Sequence, residues 1–412
     1  MGTRIIYKRC KEKERRLAKL LLIATAVLAI GGAGIAALRP SGTLTRCSAL
    51  RCQNSLGKKW YQRGEFDWDK VTPAGLKWND GRCCEHLGNM RRAAIEQIST
   101  MFFEPAMRAA MGTINANGKR VSFLRNDGQD EYWVTRNEGR VSIMEASVIV
   151  IARLSTTSKW STLAELLGGL HVSRYKLLFG DIIRAVHDHW FNRLTDVRRY
   201  EAHMNDWRAV IEANTHASPR LVGFLDGTWL AVGRPAGDEA LQRSLYNRYH
   251  RGHGLKFQSL VAPNGLILDL YGPVAGRYSD STMLARSSLE ARLNEISGRL
   301  GYTIVVYADS AYAASEHIMR GLKRNMMHND EERAYSAMMS GVRIAVEWAF
   351  GQIRQDFPFL KLDTNAKVFL SPVAMTWQVG ALLSNCKACL AGGNIVSDTL
   401  GGRPFSLAEY LS

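Results

Sequence analysis

An aspartate stands inside an otherwise apolar run, Leu221-Val-Gly-Phe-Leu-Asp226-Gly-Thr-Trp-Leu-Ala-Val232. The run reads as a core strand with a carboxylate set into it. A second apolar run, Tyr302-Thr-Ile-Val-Val-Tyr-Ala-Asp309, also ends in an acid. A third acid, Glu347, falls on a helix expected over 337–355, where Val346, Phe350 and Ile353 would pack the helix and fix the carboxylate.

Between these segments the expected elements are a strand over 255–261, a turn at Pro263-Asn264-Gly265 and a returning strand over 266–271. A helix follows, running to Leu300 with Ser279 or Asp280 as its cap. Three antiparallel strands, a helix, a further strand and a late acidic helix make the order of a ribonuclease-H-like mixed sheet flanked by helices, an α/β fold. That order would bring Asp226 beside Asp309. Hard oxygen ligands of this kind suit Mg²⁺ or Mn²⁺, and two such ions about 3.5 to 4 Å apart activate an attacking oxygen and stabilise a departing one.

Four blocks, Asp226-Gly-Thr, Gly276 to Ser281, Asp309-Ser-Ala-Tyr312, and Arg343-Ile-Ala-Val-Glu347-Trp-Ala-Phe-Gly351-Gln-Ile-Arg354, occur in one order along the chain. In these blocks the sequence resembles the Harbinger transposase-derived DDE endonucleases over about 142–362. The resemblance implies a ribonuclease-H-like domain that cuts DNA with a divalent metal cation. It makes Asp226, Asp309 and Glu347 the catalytic, metal-binding triad and Asp280 an additional metal ligand or supporting acid. Ala311 departs from the glycine of many relatives, and the span between Asp309 and Glu347 is short.

Each acid also has an ordinary structural reading: Asp280 as a helix cap, and Glu347 as the partner of Arg343 one turn before it. The segment Arg243 to Lys256 is dense in cations with interleaved aromatic rings, which suits gripping phosphates and stacking bases. From it and the acidic helix, Arg248, Arg251, Lys256 and Arg354 are expected to contact DNA. A solvated hairpin face is the alternative. His250 and His253 have no Cys or third His beside them that would make a zinc site.

From Val141 the periodicity turns helical. Ser161-Thr162 opens a short helix to Leu167, Gly168-Gly169 makes a turn, and Ser173 opens a longer helix bearing Arg174, Tyr175, Lys176 and Arg184. This is the outline of a helix-turn-helix, with Arg174 and Lys176 reaching DNA; a helical bundle bracing the catalytic domain is the alternative. The expected architecture is therefore an all-α, helix-turn-helix-like domain followed by the nuclease. The boundaries are 1–45, a basic lead and apolar segment; 46–140, loops and short helices; 141–218, helical; 219–365, the nuclease; and 366–412, a helical tail.

Lys plus Arg outnumber Asp plus Glu by 54 to 38 in the 412 residues, and the resulting +16 favours a polyanionic partner or an anionic membrane, without deciding between them. DNA is that partner on this reading, with room for a second copy of the chain and for a separate DNA-binding protein. The seven cysteines do not look like a secreted disulfide framework, and Cys386 and Cys389 look like residues of a buried helix. Cys47, Cys52, Cys83, Cys84 and His86 are too irregularly spaced for a zinc site. Leu20 to Leu38 form an uncharged apolar run of 19, nine of them Ala or Gly, behind a basic lead. By length the run is a membrane anchor; by its small residues it is a weak one. An anchor would conflict with the nuclear location that DNA cleavage implies, so an appended segment or a buried helix remains the other reading.

Overall fold

The computed structural model describes residues 96–110, 122–126, 130–134, 140–167, 171–215, 218–321, 329–361, 366–368 and 371–412. The apolar run at Leu20 to Leu38 and the cysteines at 47, 52, 83 and 84 lie outside them. No helix among the described residues is long and apolar enough to cross a membrane.

A π-helical turn, Ser99–Phe103, runs into α1 (Glu104–Ala109). A small antiparallel sheet follows, β1 (Ser122–Asn126), β2 (Asp130–Val134) and β3 (Arg140–Ser142). Strands were not expected here, so the region ahead of the catalytic domain is not all-α. Ser142 ends β3 and begins α2 (Ile143–Leu154): its Oγ accepts from Glu145 N at 3.1 Å while Glu145 Oε2 accepts from Ser142 N at 3.1 Å. This reciprocal cap satisfies two otherwise orphaned amides.

Helices α3 (Trp160–Leu167) and α4 (Val172–Trp190) have the predicted lengths, but His171 rather than Ser173 caps α4. Tyr175, Leu178, Phe179, Ile182, Ile183, Val186 and Trp190 bury α4 among α1, α2 and α3. Buried Asp181 lies on the same helix. A recognition helix must leave a face free for a groove. Here α4 is the hub of a bundle, with Lys176 exposed and Arg174 and Arg184 half-buried.

After α5 (Met204–Thr215) comes the main sheet: β4 (Leu221–Ala231), α6 (Glu239–Leu245), β5 (Tyr246–Asn247), β6 (Gly252–Val261), β7 (Ile267–Ala275), β8 (Val305–Ala308) and β9 (Ile318–Arg320). The spatial order is β7-β6-β4-β8-β9, with β5 pairing the start of β6. The first three strands pair antiparallel, whereas β4-β8 and β8-β9 pair parallel. Gly265, at φ +81°, turns β6 into β7, and its N–H donates to Ala262 O at 2.9 Å. One irregularity interrupts the β4-β8 ladder: Leu221 pairs with Val305 but Gly223 with Val306, leaving Val222 as an extra residue.

The helix expected to reach Leu300 is two, α7 (Asp280–Ser287) and α8 (Leu289–Leu300), separated by Ser288 at φ +54°. Helix α9 (Asp330–Asp356) starts before the predicted position. After it come α10 (Val373–Ala391), α11 (Ile395–Leu400) and α12 (Leu407–Leu411). Buried on most sides, α10 packs against α4, α9 and β7. It belongs to the same core as the sheet, so the boundary drawn at 365 divides elements that pack together. Cys386 and Cys389 lie in that core as free thiols. Burial pushes the Cys389 thiol up to about 12 and raises Cys386 as well, which keeps both protonated and unreactive.

Candidate active site

Leu225 pairs with Ala308, so Asp226 and Asp309 occupy the next rung, where β8 ends. Residues paired across a parallel ladder share a face, which sets the two carboxylates side by side. Both are half-buried. Asp226 Oδ1 accepts from Gly227 N at 2.8 Å, and Asp309 Oδ1 accepts from Ser310 N at 2.6 Å. Ser259 lies across the antiparallel ladder from Asp226, and its buried hydroxyl has no hydrogen-bond partner among the described residues.

Glu347 is exposed on α9, which packs across β4. Two turns further along, Arg354 Nη2 donates to Thr228 Oγ1 at 2.8 Å and to Trp229 O at 3.3 Å, with its guanidinium 5.3 Å from the Trp377 ring centre. Burial lowers the Arg354 pKa. Expected to contact DNA, Arg354 instead ties α9 to the catalytic strand. Thr228 lies on the Asp226 face of β4, since strand side chains alternate. Glu347 is thus on the helix covering the aspartate face, about 10 Å along the helix axis from Arg354.

Asp280 is on the other face. A Cβ on Gly227 would lie 2.9 Å from Asp280 Oδ1 and 3.3 Å from Met283 Cε, so α7 lies against the side of β4 opposite the Asp226 side chain. Lys256 Nζ donates to Asp280 Oδ1 at 2.5 Å and to Tyr278 O at 3.1 Å. These contacts show where two of the expected site residues lie: Asp280 is ion-paired with Lys256, as a supporting acid can be, and Lys256 is buried. The cap of α7 is Ser279, whose Oγ accepts from Thr282 N at 3.2 Å. Ser281 Oγ donates to Ala311 O at 2.8 Å, joining α7 to the loop after Asp309.

The fit to a divalent cation is therefore partial. Asp226 and Asp309 supply adjacent hard oxygens on rigid strands, as Mg²⁺ or Mn²⁺ requires. Among the described residues, however, no group of three or more His, Cys, Asp or Glu side chains comes close enough to hold an ion. Glu347 is not gathered with the aspartates.

The basic, aromatic segment forms a hairpin tip. Tyr246 pairs with His253 and Asn247 with Gly252, which leaves Arg248, Tyr249, His250 and Arg251 in the loop, all exposed. Trp229, three residues beyond Asp226, stacks on His250 at 4.4 Å and 10°. Sequence reasoning missed this contact, although the glycines at 252 and 254 were its signal. A Cβ on Gly252 would meet the Trp229 ring at 3.3 Å, and one on Gly254 would overlap it outright.

Residues 225–385 match the sequence model of a family described as DDE superfamily endonuclease. No curated protein and no solved structure matches the chain. The matched span starts just ahead of Asp226, takes in Asp309 and Glu347, and ends within α10, well beyond residue 365. The chain from Leu225 to Asn385 is thus similar to the DDE superfamily endonucleases, and its helix-flanked mixed sheet is consistent with their fold.

Proposed function

We propose that the chain is a metal-dependent DNA endonuclease of the transposase type, with a ribonuclease-H-like domain related to the Harbinger group. The observation that carries the reading is the pairing of Leu225 with Ala308, which brings the next residues, Asp226 and Asp309, to neighbouring positions within a span similar to the DDE endonucleases. Asp226 and Asp309 would hold Mg²⁺ or Mn²⁺, and Glu347 would complete the set from α9. When bound, the metal supplies Lewis-acid activation of the attacking oxygen and stabilises the departing one. The amides of Gly227 and Ser310 orient one oxygen of each aspartate. Arg354 anchors α9 to β4 through Thr228, fixing the axis of the helix that presents Glu347. DNA is the substrate on this reading and the nucleus its place of action.

Nicking of supercoiled plasmid by the full chain tests it. With Mn²⁺ present, nicking should appear, and it should vanish with EDTA. Asp309→Asn should lower the rate by about 100-fold or more, since removing a metal ligand forfeits several kcal/mol of transition-state stabilisation. Equal nicking by the parent and by Asp309→Asn would overturn the assignment. That no three His, Cys, Asp or Glu side chains gather among the described residues favours a second reading, a DNA-binding scaffold without turnover. That reading predicts salt-sensitive binding and no cutting in any divalent metal.

A further inference from the structure

At the tip of the β5–β6 hairpin the Tyr249 ring is 89% exposed, the most exposed of the large hydrophobic side chains among the described residues. It is nonetheless held in place. Tyr249 meets His250 edge-on at 5.0 Å, and His250 lies flat on Trp229 of β4. Asn247 Oδ1 accepts from His250 N at 3.0 Å, while Asn247 Nδ2 donates to Gly276 O at 2.7 Å, bracing the loop against the end of β7. Arg251 is held at φ +50°, a backbone state that is unfavourable for a non-glycine residue and persists only where the surroundings impose it. Exposed arginines flank the ring on both sides, and no acid lies within the loop.

A solvent-facing ring in a braced loop that also carries two exposed arginines suits binding of a nucleobase next to its phosphates. Stacking gives the base a partner for its π-face, and the arginines neutralise the adjoining backbone. A paired base inside a duplex shows no free face to such a ring. An unpaired one does.

We infer that Arg248, Tyr249 and Arg251 form a docking platform for an unpaired DNA base, with Tyr249 as the stacking surface. The inference rests on DNA being the substrate, and it specifies the form of that substrate: DNA opened or distorted near the site of cutting. Trp229 is about 10 Å beyond Asp226 along β4 with its side chain on the opposite face, so the platform and the aspartate pair share one rigid strand and a base docked there lies across that strand from the acids.

The test uses the full chain in EDTA, so that binding is read apart from cutting, and two duplex probes containing 2-aminopurine, one fully paired and one with the fluorescent base bulged out. The parent should bind the bulged probe more tightly and quench its fluorescence. Tyr249→Ala should lose about tenfold on the bulged probe and little on the paired one, and Tyr249→Phe should restore both affinity and quenching. Arg248→Ala and Arg251→Ala should weaken both probes together and flatten the salt dependence. Equal loss on both probes with Tyr249→Ala, or none on either, overturns the inference. So does Tyr249-dependent self-association in sedimentation without a preference for the bulge, which would make the tip a contact for a second copy. Tyr249-dependent quenching without metal-dependent nicking would keep the platform and remove the nuclease.

Discussion

A charged residue's identity does not tell whether it faces solvent or a buried partner. Asp226 and Asp309 stand out in the sequence because each interrupts or ends an apolar run, where a carboxylate has few structural uses. Lys256, Asp280 and Arg354 carry no such mark, and their contacts depend on which sheet face they reach. Two of them meet around Gly227, where the missing side chain admits the Asp280 carboxylate. Gly227→Ala should cost about 1 to 3 kcal/mol by forcing α7 outward, a loss readable in urea unfolding. Unchanged stability would mean that α7 yields freely and that the Lys256–Asp280 pair does not fix its position.

Strands were read better than helix ends or short edges. Alternation and turn chemistry announce β4, β6 and β7, whereas β9 is three residues long and β1 to β3 lack an apolar stripe. The break between α7 and α8 had no proline or glycine to mark it; Ser288 takes the left-handed turn instead. On α8, Arg292 reaches across to Asp269 of β7, with Nη2 2.6 Å from Oδ2. Burial pushes the Asp269 carboxyl up to about 7, outweighing the pull of that guanidinium in the other direction. Unfolded, the group titrates near 3.9. Its folded pKa is therefore the higher one, and its contribution to stability is full below about pH 4 and is lost as pH rises toward 7. Asp269→Asn should flatten that slope, so the fall in Tm between pH 5 and 8 should shrink. A slope as steep as the parent's would show that the ion pair, not the protonated acid, is the folded form.

At the scale of the molecule, composition and charge say nothing of the packing. The helices before the sheet and those after residue 365 looked like separate units because each has its own periodicity. Their apolar faces meet in one core, through α4 and α10. A chain ended after residue 365 should consequently fail to fold, losing soluble yield and cooperative unfolding. A soluble, cooperative product would show that the sheet stands without α10. A helix buried on most sides has no amphipathic stripe to signal its partners, which is why the boundary was drawn too early.

The extra residue Val222 has a consequence for inheritance. Continued regularly from Leu221 and Val305, the ladder would set Asp309 beside Leu225; with Val222 inserted, Asp309 falls beside Asp226. The pair is therefore specified by parity as well as by identity. A one-residue deletion between Leu221 and Asp226, or between Val305 and Asp309, could leave every acid in the sequence and still turn one to the wrong side of the sheet.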